Sequence, residues 1–240
     1  MLEVKNLTKR FGAFQAVKGI SFNVGKGEVL GFLGPNGAGK STTMRMITGF
    51  LPPTSGTAVV CGHDIAADPV AAKKCIGYLP ESAPSYRAMT VEDFLKFTAA
   101  VRGFTGRAGA EKVAAVIEKA RLAPVARQTI ETLSKGYRQR TCFAQAIIHD
   151  PPVLIMDEPT DGLDPNQKYT VREMIKAMAA EKAIIISTHI LEEVDAVCTR
   201  AIIIAGGELK ADGTPAELKA LDPSGKLDVV FRNLTMKEGK

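Results

Sequence analysis

The spacing of apolar and polar positions changes several times along this chain, and each change marks an element. Up to about Gly62, short apolar runs alternate with turn residues such as Lys26-Gly27-Glu28 and Pro52-Pro53-Thr54-Ser55-Gly56, the punctuation of short strands. Val29-Leu30-Gly31-Phe32-Leu33 runs apolar into a glycine-rich stretch, and Ser41 to Ile47 continues as a helix. Ile76-Gly77-Tyr78-Leu79 reads as a further strand ending at Pro80. The period then shifts. Thr90-Val91-Glu92-Asp93 has the form of a helix capping box, and Val91, Phe94, Leu95 and Thr98 follow at helical spacing. Val113, Val116, Ile117 and Ala120 share one face of a second helix, so residues 84–132 are expected to form a helical insert.

Val153-Leu154-Ile155-Met156 is a continuous apolar run, as in a strand covered on both faces. A helix opens at Asp164-Pro165 with Val171, Met174, Ile175 and Met178 on its buried side, and Ala183 to Ser187 is another buried strand. Gly206-Gly207 between two apolar runs signals a hairpin, a short helix starts at Pro215, and Leu227-Asp228-Val229-Val230-Phe231 reads as a last strand. The pattern predicts an α/β fold: a P-loop NTPase core with a parallel sheet, an antiparallel N-terminal β-subdomain and an inserted α-helical subdomain. The main domain is expected to span 1–225, with the insert at 84–132 and a short C-terminal extension at 226–240.

Bulk properties narrow the setting. The chain has 240 residues, enough for one large domain with a sub-lobe. Its 31 basic and 26 acidic residues give a scattered +5, so no nucleic-acid partner is expected. Cys61, Cys75, Cys142 and Cys198 form no CxxC pair, which disfavours a metal site or a disulfide framework and fits a reducing compartment. The N-terminus does not have the apolar run of a signal peptide, and no stretch approaches the length of a membrane span. Any connection to a membrane is therefore expected to come through a partner.

The chemistry concentrates in two places. Gly34-Pro35-Asn36-Gly37-Ala38-Gly39-Lys40-Ser41 lies between a strand and a helix, the setting a phosphate-binding P-loop requires. Backbone amides and the helix dipole converge on an anion there, Lys40 reaches the β- and γ-phosphates, and Ser41 offers its hydroxyl to Mg²⁺. Asp157 and Glu158 close the second apolar strand, where Asp157 suits the second shell of Mg²⁺ and Glu158 can polarise an attacking water. Between them, Ser134 is a natural N-cap for a helix carrying Phe143, Ala144, Ile147 and Ile148, which makes a second anion-attracting helix end.

In this order the motifs resemble the nucleotide-binding subunit of ATP-binding cassette (ABC) transporters over nearly the whole chain. Leu133-Ser134-Lys135-Gly136-Tyr137 resembles the family's LSGGQ signature, and Asp161-Gly162-Leu163-Asp164 its D-loop. His189 resembles the switch histidine, and Phe11 holds the place of the aromatic that stacks on adenine. Ile76 to Glu81 and Leu133 to Gly136 are most similar to the branch serving ABC-2-type exporters, which includes multidrug, antibiotic and gliding-motility transporters.

That resemblance implies an ATPase with ATP and Mg²⁺, powering export by a separate membrane permease. Its site would comprise Phe11, residues 34–41 and Thr42 for ATP; Ser41, Glu81 and Asp157 for Mg²⁺; and Glu158, His189 and Lys40 for catalysis. Ser134, Lys135, Gly136, Tyr137 and Asp164 would act across a head-to-tail pair of subunits, most simply a homodimer. The expected location is the cytoplasmic face of a prokaryotic cell membrane. Two departures stand out: Glu81 replaces a Mg²⁺-touching glutamine, and Lys135 and Tyr137 replace a signature glycine and glutamine. A soluble cassette acting on ribosomes or DNA, and a poorly hydrolysing regulator, are the alternatives.

Overall fold

The structure is a computed structural model and describes residues 1–82 and 84–236. β1 (Leu2–Phe11) and β2 (Phe14–Val24) form a long antiparallel hairpin. With β4 (Ser55–Val60) and β5 (His63–Asp64) they make a four-stranded sheet in the order β2-β1-β4-β5. The second sheet has six strands: β10 (Glu208–Gly213), β9 (Arg200–Ala205), β3 (Val29–Leu33), β8 (Ala183–Thr188), β7 (Val153–Asp157) and β6 (Ile76–Leu79), in that order. Neighbours from β9 to β6 are parallel and β10 is antiparallel.

The apolar runs of this sheet are buried on both faces because each has its own core. On β7, Leu154 and Met156 face one cluster while Val153 and Ile155 face another; Ile184 and Ile186 on β8 are divided from Ala183 and Ile185 in the same way. A period of two thus sends alternate side chains into two separate cores. One core lies between the sheets and includes Met44, Met46 and Ile47 of α1 (Lys40–Ile47). A short helix, α2 (Pro69–Lys74), leads into β6.

The other core is roofed by helices. These are α3 (Val91–Val101), α4 (Gly106–Lys119), α5 (Lys135–Ile147) and α6 (Pro165–Ala179). The Thr90 hydroxyl accepts the Asp93 amide at the start of α3, and Val91, Phe94, Leu95 and Thr98 are buried as their spacing predicts. Loss of such a cap costs about 1 kcal/mol.

The C-terminal part differs from the sequence expectation. After α7 (Leu191–Val197) and the β9–β10 hairpin come α8 (Pro215–Lys219) and α9 (Leu227–Thr235), so Leu227 to Phe231 is helical and not a strand. Leu227 and Val230 are buried, with Phe231 and Leu234 packed alongside, against Leu33, Val194, Ala201, Ile203 and Leu218. Contacts at i, i+3, i+4 and i+7 with a ready apolar surface outweigh the β preference of Val229-Val230-Phe231. Of the expected extension, residues 237–240 lie outside the described residues.

Cys61 and Cys75, distant in sequence, are neighbours whose thiols interact, yet all four cysteines are free. Burial pushes the Cys142 and Cys198 thiols up to about 12. Among the described residues, no helix is long and apolar enough to cross a membrane.

Candidate nucleotide-binding site

Parallel strands bring the C-terminal ends of β3, β7, β8 and β6 to one edge of the sheet, where ligands bind in open α/β folds. Pairing fixes their register: Leu33 lies opposite Thr188, and Asp157 opposite Ser187. The loop leaving β3 turns into α1 through Gly39, whose φ of 106° suits glycine; a Cβ there would stand 2.7 Å from the Ala16 carbonyl oxygen. Since this N-cap makes no side-chain hydrogen bond, the first amides of α1 are left to a ligand.

A cleft of about 580 Å³ opens at this edge. Phe11, Pro35, Asn36, Gly37, Gly39, Lys40, Ser41, Thr42, Glu81, Glu158 and His189 line it, joined by Phe14, Ala16 and Asp161. Lys40 is almost fully buried and its Nζ donates to the carbonyls of Gly34 (2.7 Å) and Pro35 (3.3 Å). The same ammonium lies 3.4 Å from Glu158 Oε1, while Glu158 Oε2 is 2.8 Å from His189 Nδ1. A single carboxylate therefore bridges the P-loop lysine and the histidine after β8.

Glu158 achieves this from a left-handed backbone, φ 51°, rare outside glycine and uphill by about 1 kcal/mol or more. Two hydrogen bonds from its amide, to the Ser187 carbonyl (3.1 Å) and hydroxyl (3.2 Å), hold that conformation. The preceding Asp157 is fully buried. Its Oδ1 accepts the Ser41 hydroxyl at 3.2 Å and the Ser187 hydroxyl at short range. Its Oδ2 has no hydrogen-bond partner among the described residues.

A buried carboxylate oxygen without a donor is costly unless a cation or water meets it. That orphan, the Ser41 hydroxyl beside it and Glu81 across the cleft are hard oxygen donors suited to Mg²⁺. Tyr78, at the end of β6 before Glu81, has its phenol pushed up to about 12 by burial first and by Asp157 next, so it stays neutral.

The signature residues lie elsewhere. Ser134 caps α5, its hydroxyl accepting the Tyr137 amide at 3.4 Å. Gly136 packs so tightly on α6 that a Cβ would lie 2.6 Å from Gln167 Oε1. The Tyr137 ring lies 4.3 Å from the Arg140 guanidinium, and Lys135 pairs with Asp161 at 3.5 Å. None of the four signature residues lines the cleft. Asp164 is outside it too, its carboxylate capping α6 by accepting the Gln167 amide at 3.0 Å.

Three cleft residues escaped the sequence reading of the site. Phe14 follows Phe11 across the two-residue turn of the hairpin and faces the same cleft, which the FGAF spacing could have suggested. Ala16 lies further along β2. Asp161 carried a signal in the D-loop wording but was passed over for Asp164.

Comparison with known proteins matches this geometry. The family model described as "ABC transporter" fits residues 17–161, more than half of the chain. The probable multidrug ABC transporter ATP-binding protein YbhF of Escherichia coli is 39% identical over 221 residues. That alignment takes in 92% of this chain and 38% of the relative, so the chain spans well under half of that protein's length. The linearmycin resistance ATP-binding protein LnrL of Bacillus subtilis is 40% identical over 91% of this chain and 70% of its own. Nod factor export ATP-binding protein I of Ralstonia nicotianae is 36% identical over 91% and 68%. None of these three names is that of a protein acting on ribosomes or DNA. A solved ATP-binding subunit of an ABC transporter superposes with a TM-score of 0.87 at 30% identity, covering 98% of this chain and 99% of that one. The dimeric cassette MJ0796 shares the fold, with a TM-score of 0.81 at 23% identity over 89% and 98%. The P-loop NTPase fold expected from the sequence is thus present, and the chain belongs to the ABC transporter family, among its ATP-binding proteins.

Proposed function

We propose that this chain binds and hydrolyses ATP as the motor subunit of an exporter, and that two copies clasp the nucleotide between them. The observation that carries this reading is the bridging position of Glu158 between Lys40 and His189 at the mouth of the P-loop. The adenine rests against Phe11 and Phe14, whose rings are exposed in the cleft. Backbone amides of residues 36–42 and the Lys40 ammonium grip the phosphates, Lys40 exchanging the Gly34 and Pro35 carbonyls for phosphate oxygens. Ser41, Asp157 and Glu81 hold Mg²⁺, which neutralises charge on the triphosphate.

Glu158 orients and polarises the water that attacks the γ-phosphorus as the bond to the leaving ADP breaks. His189, fixed by its bond to Glu158, supports the γ-phosphate as charge shifts. The missing wall of the site comes from a second copy, whose Ser134 hydroxyl and Lys135, Gly136 and Tyr137 at a positive helix end meet the γ-phosphate. Asp164 serves this arrangement by capping α6 and so setting the course of the loop that carries Asp161.

The membrane permease docks beside the Glu81 loop. Just beyond that loop Tyr86 packs edge-on against Phe97 at 5.4 Å, and both rings and Val101 are exposed, an apolar patch suited to a partner. The subunit then sits on the cytoplasmic face of the membrane as a peripheral protein. Export is the direction in the name of the Nod factor export relative, and it suits the multidrug transporter and linearmycin resistance names of the other two.

Glu158→Gln tests the reading. The variant keeps the shape of the site but not the carboxylate, so it is expected to lose about a hundredfold or more in turnover. It should also accumulate as an ATP-bound dimer in size-exclusion chromatography. Wild-type turnover in that variant overturns the assignment.

A further inference from the structure

His189 is set in a turn whose geometry is fixed from outside the cleft. Thr188, fully buried at the end of β8, places its hydroxyl 2.6 Å from Glu193 Oε2 and accepts the Ile190 amide on the same oxygen at 3.0 Å. The hydroxyl thus donates to the Glu193 carboxylate while it accepts the amide. The two residues flanking His189 are tied together through the Thr188 hydroxyl, which the Glu193 carboxylate ties in turn to α7. The Thr188 carbonyl also accepts the Gly34 amide at 3.3 Å, and the Glu193 amide donates to the Ile190 carbonyl at 3.1 Å. The turn therefore connects the start of the P-loop to the first turn of α7.

Glu193 is an unusual residue for this task. It is 2% exposed, and glutamate is rarely buried so completely without a role. Its Oε1 has no hydrogen-bond partner among the described residues. Arg172 and Lys168 face it from α6, and Glu158 from the cleft. The Cys198 thiol, 3.8 Å from its backbone carbonyl, lies beneath it. Arg172 pairs at 2.8 Å with the neighbouring Glu192, and among the described residues the Glu193 carboxylate is hydrogen-bonded through Thr188 alone. Burial raises its carboxyl above the ordinary range, while the Thr188 hydroxyl and Arg172 pull it down.

We propose that Glu193 is a positioning residue for His189: by accepting the Thr188 hydroxyl it fixes the turn that aims the imidazole at Glu158. This rests on the role given above to His189 and Glu158. A purely structural glutamate would support the fold equally well whether or not the histidine were present. A positioning residue matters only while there is an imidazole to aim.

A double-mutant cycle separates these cases. Glu193→Ala should lower kcat about tenfold, with ATP affinity by fluorescent-nucleotide titration changed less than about twofold. In a His189→Ala background the same substitution should cost no further turnover. Glu193→Gln, whose amide oxygen still accepts the Thr188 hydroxyl, should restore most of the rate. If Glu193→Ala yields no folded protein, Thr188→Val removes the donor at the other end and carries the same cycle. An equal loss in both backgrounds, or wild-type kcat in a folded Glu193→Ala, overturns the proposal. His189→Ala with wild-type turnover would instead overturn the underlying assignment of the site.

Discussion

The P-loop and the Ser134 end of α5 are both helix N-termini assigned a phosphate contact, yet they are built in opposite ways. At α1 the N-cap is a left-handed glycine with no capping side chain, and Lys40 is buried between two carbonyls and a carboxylate. At α5 the cap is a serine bonded to its own helix, and the neighbouring Lys135 is half exposed. The first is a cleft lined by the P-loop, Glu158 and His189. The second lies outside the cleft, with Gly136 packed on Gln167 of α6 and Lys135 paired with Asp161. A helix end that leaves amides free inside a cleft grips an anion by itself, whereas a self-capped end on a surface acts only when another surface is brought to it.

The largest effect that sharpens this contrast is the loss of one side and not the other. Lys40→Ala should weaken ATP binding by at least about tenfold and turnover by about a hundredfold or more. Ser134→Arg should leave ATP affinity of the isolated subunit within about twofold while turnover falls by a similar hundredfold. Equilibrium titration and phosphate release check the pair. Equal losses of affinity would mean that both helix ends serve a single chain's site.

A smaller effect belongs to the aromatic wall. Phe11→Ala and Phe14→Ala should each weaken ATP binding by about fivefold to tenfold, the low end of the roughly 1–3 kcal/mol that a base stacked on a ring contributes, because each substitution leaves the other ring in place. Unchanged affinity in Phe14→Ala would reduce the shelf to the single ring that the sequence identified.

The part of the cleft made by the backbone was the most legible. A P-loop requires glycines at fixed spacing between a strand and a helix, and Asp157-Glu158 must end a buried strand, so pattern and chemistry coincide there. Legibility fell where partners are set by tertiary pairing. Nothing local in the sequence reveals that Ser187 lies opposite Asp157, that Glu193 reaches back to Thr188, or that Lys135 meets Asp161. Asp164 was legible as an N-cap, and its capping bond, not a place in the cleft, is what the structure displays. α9 was misread because five residues could not distinguish the two periods; including Leu234 reveals the helical one.

The smallest expected effect lies away from both sites. His149 Nε2 bonds the Ile76 carbonyl at 3.0 Å at the foot of β6. Burial, helped by Arg102, lowers its pKa from 6.5 to about 4. The folded state thus holds a neutral imidazole that the unfolded chain protonates below pH 6.5. This stability is present above that pH and is lost as pH falls toward about 4. Denaturant melts of His149→Asn should show a shallower loss of stability between pH 6.5 and 4 than the wild type. An identical slope would mean that His149 is not buried in its neutral form.

The most direct test of the composite site mixes two dead proteins. Lys40→Ala has an intact signature and a broken P-loop, and Ser134→Arg has the reverse. If each site is shared between two copies, half of the randomly formed dimers contain one complete site, and the mixture should regain up to about a quarter of wild-type ATPase activity. A mixture as inactive as its two components would contradict the account.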